Sequence, residues 1–81
     1  MRLLTVRFFA AAADAAGTRE STIEVPDGAT LDDALQIIDS TYPRVAKIRS
    51  QCTVFIDDMR TENPDISNAR TLDILPPFAG G

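Results

Sequence analysis

Residues 30–43 read TLDDALQIIDSTYP, and this stretch decides how the rest of the chain must fold. Leu31, Ala34, Leu35 and Ile38 recur at i, i+3, i+4 and i+7, the spacing of one helical face. Thr30 stands at the N-cap and Asp33 three residues on, a capping box with Asp in place of Glu. Asp32 and Asp33 also suit the positive end of the helix dipole. Pro43 disfavours helical backbone at the residue before it. The pattern predicts a helix over 31–42 with a single apolar stripe. Such a helix must bury its stripe against another layer.

The flanking sequence supplies that layer. Residues 3–9, LLTVRFF, alternate with the period of a strand: Leu4, Val6 and Phe8 on one side, Leu3, Thr5, Arg7 and Phe9 on the other. AAADAA follows, a short helix-prone run stopped by Gly17, a natural C-cap. STIEV reads as a second strand closed by the turn PDG. After the main helix, RVAKIRS adds a short helical turn. CTVFI is a third strand, with Cys52, Val54 and Ile56 facing one way and Thr53 and Phe55 the other. DDM reads as a turn and RTENPDISNAR as a loop. TLDIL is the last strand, with Leu72 and Ile74 opposite Asp73 and Leu75. Asp57–Asp58 belongs to a turn and Asp32–Asp33 to a helix start, so neither pair is read as a metal or acid–base site.

The order is β, short α, β, α, β, β. It predicts an α+β fold of the ubiquitin-like β-grasp kind: a mixed four- to five-stranded sheet with one main helix on one face. Residues 1–75 would form that domain, and 76–81 a flexible C-terminal tail. The sheet's other face stays open, and Leu3, Phe9, Phe55 and Leu75 are expected to form an apolar partner-binding surface on it.

Composition narrows the function. With 81 residues the chain has room for one small core and no deep cleft. Twelve acidic against eight basic residues give a net charge of −4. That argues against nucleic acid, whose phosphates need a basic footprint, and suits a partner with a basic patch. There is one cysteine, Cys52, so no disulfide forms within the chain, and a buried inert thiol is expected there. The absence of histidine removes the usual catalytic triads and the common zinc sites; no metal site is expected. Arg7 interrupts the apolar N-terminal run, so no signal peptide is expected. No stretch approaches the ~20 apolar residues of a membrane span. The expected setting is the cytoplasm.

The last residues, LPPFAGG, carry the chemistry. Pro76 and Pro77 lack the N–H a ladder needs, so they end the last strand and start a stiff exit. Phe78 is a large apolar side chain on that arm, expected to anchor in a partner pocket or else to fold back onto the domain. Gly80 and Gly81 have no Cβ and let a chain end enter a narrow channel. The terminal carboxylate is unreactive as it stands. With ATP and a partner enzyme it becomes an acyl-adenylate, and then a thiocarboxylate or an amide. The chain has no Gly-rich phosphate loop, so the activation must come from outside.

VRFFAAAADAAG at residues 6–17 and LDILPPFAGG at 72–81 resemble the MoaD/ThiS family of ubiquitin-like sulfur carriers, and its MoaD branch most. The likeness spans the whole chain, with the middle similar only in pattern. The resemblance implies that Gly81 is the working residue. An E1-like enzyme would adenylate it using ATP, and a sulfur donor would convert it to a thiocarboxylate. Pro76, Pro77, Phe78, Ala79 and Gly80 would thread the tail into the large subunit of molybdopterin synthase, a heterotetramer of two small and two large subunits. There the sulfur would pass to cyclic pyranopterin monophosphate. The small subunit would bind no cofactor and would be no enzyme on its own. Carriers for cysteine, thiamine or tRNA thiolation, and ubiquitin-like protein modifiers, share the activated C-terminus and remain alternatives. Lys47 is the only lysine, which weighs against self-linked chains.

Overall fold

Five strands form one mixed sheet in the order β2-β1-β5-β3-β4. They are β1 (Arg2–Phe8), β2 (Glu20–Val25), β3 (Thr53–Ile56), β4 (Met59–Arg60) and β5 (Thr71–Leu75). The computed structural model describes residues 1–60 and 65–77. β1 pairs antiparallel with β2 and parallel with β5, and β5 pairs antiparallel with β3. The helices are α1 (Ala11–Ala16), α2 (Leu31–Thr41) and α3 (Pro43–Arg49).

Alternation along the strands sends one set of side chains toward the helices. Leu4, Val6, Leu72 and Ile74 are fully buried there, with Ala34, Ile38 and Val45 from the helices. Phe8 closes one end of this core edge-to-face against Tyr42, with ring centroids 5.0 Å apart. These faces are the ones the sequence pattern predicts, and the architecture is the expected ubiquitin-like β-grasp.

The capping box on α2 forms: the Thr30 hydroxyl accepts from the Asp33 N–H at 3.2 Å, and the Asp33 carboxylate accepts from the Thr30 N–H at 2.9 Å. Gly17 caps α1 at φ 76°, a left-handed backbone that favours glycine. Two details differ from the sequence reading. Pro43 does not simply stop a helix at Tyr42. α2 ends at Thr41, and Pro43 sits in the first turn of α3, where its missing N–H would have had no helical partner. The segment read as turn and loop after Ile56 contains β4. Asp57 and Asp58, both at positive φ, form a two-residue hairpin connection that folds Met59 and Arg60 back onto β3.

Candidate functional site: the root of the C-terminal tail

The tail leaves from a strand held on both sides. β5 runs between β1 and β3, and its last residue, Leu75, is in register with Thr53. The Phe9 N–H donates to the Ile74 carbonyl at 3.2 Å, which extends the β1–β5 ladder to the strand's end. Pro76 is half-buried and Pro77 exposed. The expectations for Phe78, Ala79, Gly80 and Gly81 lie outside the described residues.

The face opposite the helices is crossed by an ion-pair cluster. Arg7 on β1 grips Asp73 on β5 with a fork: its Nε donates to one carboxylate oxygen and its Nη2 to the other, the latter at 2.7 Å. The same Nη2 also donates to Asp58 in the β3–β4 connection. These bonds, Asp73 first and Asp58 second, raise the Arg7 pKa well above its ordinary value. Asp73 is only 5% exposed. A buried carboxylate is tolerated when it is paired and hydrogen-bonded, and the Arg7 fork supplies both. The cluster therefore fixes β1, β5 and the β3–β4 turn to one another just below the point where the tail starts.

The four residues expected to form an apolar surface all lie on or beside this face, but not together. The β1–β5 register, carried one residue past Phe8–Ile74, places Phe9 beside Leu75 at the tail's root. Phe55 is in register with Asp73, beside the charged cluster. Leu3 is paired with Glu24 at the other end of the sheet. The Thr5–Thr71 and Arg7–Asp73 pairs lie between. Six residues of strand separate Leu3 from Phe9, roughly 20 Å. The structure thus gathers Phe9 and Leu75, with Phe55 one step away, and leaves Leu3 apart.

Phe9 is held outward by an unusual turn. Ala10 has φ 50° and ψ −125°, and the Ala12 N–H donates to the Phe9 carbonyl at 3.0 Å. This is the geometry of a type II′ turn, whose first central residue is normally glycine. An alanine there costs about 1–3 kcal/mol, and the turn leaves Phe9 42% exposed at the root of the tail.

Other titratable groups have structural explanations. The Cys52 thiol is half-buried, and burial pushes its pKa up, away from reactive thiolate. Asp39 takes a two-pronged grip from Arg49 at 2.8 and 2.9 Å, linking α2 to α3. Among the described residues, no group of three His, Cys, Asp or Glu side chains comes together to hold a metal, and no helix is long and apolar enough to cross a membrane. The sequence reading missed the Arg7–Asp73 pair. Its only sequence signal was two opposite charges on the outward faces of two expected strands.

A mixed five-stranded sheet of this order, covered by helices and with its C-terminal strand paired on both sides, is a ubiquitin-like β-grasp. The ThiS family model matches residues 6–81, and the chain belongs to that family; it is a ubiquitin-like sulfur carrier of the MoaD/ThiS type. It is 27% identical over 81 residues to the molybdopterin synthase sulfur carrier subunit of Chlamydomonas reinhardtii, covering 96% of this chain and 98% of that protein. The subunit of the same name from Arabidopsis thaliana is 28% identical over 80 residues, covering 96% and 82%. Among solved structures, SAMP1 from Haloferax volcanii superposes with a TM-score of 0.84 at 21% identity, covering 99% of this chain and all of that one. A putative molybdopterin converting factor, subunit 1, from Pyrococcus furiosus gives 0.79 at 17%, covering 96% and 100%. At these identities the structural likeness is one of fold.

Proposed function

We propose that this chain is the small, sulfur-carrying subunit of molybdopterin synthase. The carboxylate of Gly81 attacks ATP on an E1-like enzyme; pyrophosphate leaves and an acyl-adenylate forms. A sulfur donor then displaces AMP, giving a thiocarboxylate. The tail enters the large subunit, in a heterotetramer of two small and two large subunits, and passes its sulfur to cyclic pyranopterin monophosphate. The chain contributes a carrier and no active site of its own. The cytoplasm, which keeps a lone thiol such as Cys52 reduced, is the setting we assign.

The observation that carries this proposal is the tail's root. β5 is buried, paired on both edges and pinned by Arg7, so the body fixes where the arm begins. The arm beyond Pro77 needs only to reach, and Gly-Gly is the slimmest end a polypeptide offers. Both plant and algal relatives carry the synthase subunit name. The net charge of −4 suits a large subunit with a basic active site.

A second proposal, protein modifier, draws on the fold likeness to two structures of a Haloferax volcanii modifier protein. It uses the same adenylate but ends in an isopeptide bond to a target lysine. One experiment separates the two. The purified chain, whose intact mass checks that it finishes at Gly81, is incubated with ATP, an E1-like enzyme and a sulfur donor. Exchange of one terminal oxygen for sulfur supports the carrier. Dithiolene product on adding the large subunit and the pterin precursor supports the synthase assignment. Thiocarboxylate without that product would sink it in favour of another thiolation pathway.

A further inference from the structure

The sheet has two unlike edges. β4 contributes two residues to one; β2 contributes six to the other. The backbone polarity of β2 follows from one bond: the Phe8 N–H donates to the Arg19 carbonyl at 2.8 Å. In an antiparallel pair, bonded and non-bonded residues alternate. With the observed register, Ser21, Ile23 and Val25 therefore turn their N–H and C=O toward β1. Glu20, Thr22 and Glu24 turn theirs outward. The Thr18 hydroxyl covers Glu20, donating to its carbonyl at 2.9 Å. Among the described residues, the outward groups of Thr22 and Glu24 have no partner.

A strand added beside β2 would meet different chemistry on its two faces. On the open-face side its residues would lie next to the exposed carboxylates of Glu20 and Glu24. On the helix side they would lie over a shallow groove between the end of β2 and α2, lined by Pro26, Asp33, Gln36, Ile37, Ser40 and Thr41. Ile37 is half-buried there and offers apolar surface. The glutamates also decide against a second copy of this chain. Pairing β2 with itself antiparallel about Thr22 would bring Glu20 of each copy opposite Glu24 of the other, and like charges directly opposite are destabilising.

We propose that the β2 edge, with the α2 groove beside it, docks an extended segment of another protein in which basic and apolar residues alternate. Backbone bonds to Thr22 and Glu24 hold the segment, its basic side chains pair with Glu20 and Glu24, and its apolar ones enter the groove. The site lies on the opposite side of β1 from β5 and does not depend on the tail's chemistry. It therefore stands or falls separately from the sulfur-carrier proposal.

The test uses the full chain and a synthetic peptide of about eight residues alternating arginine and valine, followed by amide NMR. The expected result is that the Thr22 and Glu24 amide signals move most. A block isomer of the same composition, arginines first and valines after, binds at least about tenfold more weakly. Thr22→Pro removes one outward N–H and leaves the β1 ladder intact, since proline is tolerated on an edge with its nitrogen facing solvent. It should weaken binding by about tenfold, the worth of one hydrogen bond at an interface. Charge reversal at two exposed positions, Glu20→Lys with Glu24→Lys, should abolish binding of this peptide and confer binding of a glutamate–valine one. That pair also carries the test if Thr22→Pro fails to fold. No binding at millimolar peptide, equal binding of the block isomer, undiminished binding by folded Thr22→Pro, or binding by the charge-reversed pair equal to the wild type would each overturn the proposal.

Discussion

β5 and β2 are strands of similar length in one sheet, and the molecule uses them in opposite ways. β5 is paired on both sides, buries Leu72, Asp73 and Ile74, and continues into the tail. β2 is paired on one side and turns Glu20, Thr22 and Glu24 to solvent. The contrast teaches where such a small protein can put function. A domain of 81 residues has room for one small core, and we propose that its working groups lie at a chain end and an edge. An end works only if its root does not fray. Among the described residues, β5 carries the one buried carboxylate, Asp73, beside the fully buried Leu72 and Ile74.

The largest expected effect would break this contrast outright. Deleting Gly81 should abolish thiocarboxylate formation while the melting temperature stays unchanged, because the deleted residue lies beyond the clamped strand. Intact mass after incubation with the activating enzyme reads the first quantity and thermal denaturation the second. A deletion mutant that still gained sulfur would end the proposed chemistry. One that melted early would show that the tail is part of the body.

A smaller effect sharpens the comparison within the sheet. Ile74 is fully buried on β5 and Ile23 is 6% exposed on β2. Isoleucine-to-alanine changes in cores cost about 2–5 kcal/mol, more where neighbours cannot collapse into the space. Ile74, walled in by strands on both sides, should fall near the upper end, and Ile23, at the edge, near the lower. Chemical denaturation of Ile74→Ala and Ile23→Ala measures both. Equal losses would mean that the edge is as rigid as the centre.

Much of this contrast was legible in the chain. Period-two alternation assigned Leu4, Val6, Phe8, Leu72 and Ile74 to the core face, and the Thr30–Asp33 spacing gave the capping box. Pro76 and Pro77 mark the end of β5, as the structure has it; the reading of Gly80 and Gly81 as a working chain end remains a proposal. What stayed hidden depends on which strands become neighbours. Arg7 and Asp73 are 66 residues apart and meet only because β1 and β5 pair in parallel. No local pattern encodes that register, so the outward face read as an apolar patch when a charged pair crosses it. β4 was hidden for another reason: both of its residues are exposed, and two residues carry no periodicity. Pro43 does follow the end of α2, as read; that it also opens α3 was missed, because proline both ends helices and begins them, and the neighbouring chain decides which.

The smallest effect concerns the turn that ties β3 to the start of β5. The Asp57 carboxylate accepts from the Arg70 N–H at 2.8 Å and the Thr71 N–H at 3.0 Å. Those bonds hold its pKa below the usual carboxylate value, Arg70 first and Thr71 second. A carboxyl whose pKa is lower folded than unfolded stabilises the fold above the unfolded value, about 3.9, and loses that contribution as the pH falls through the folded value. Asparagine tolerates the positive φ of Asp57, so Asp57→Asn keeps the turn and removes only the charge. At neutral pH the variant should melt lower by no more than about 4 °C, since the group is exposed. Thermal melts from pH 7 down to pH 2 should bring the two proteins together as the wild type, alone of the pair, loses this carboxylate. A gap that does not narrow at all as the pH falls would place the effect in the turn's shape and take the charge out of the account. The β3–β4 hairpin would then join β5 as a region held by packing, and the contrast with β2 would rest on burial alone.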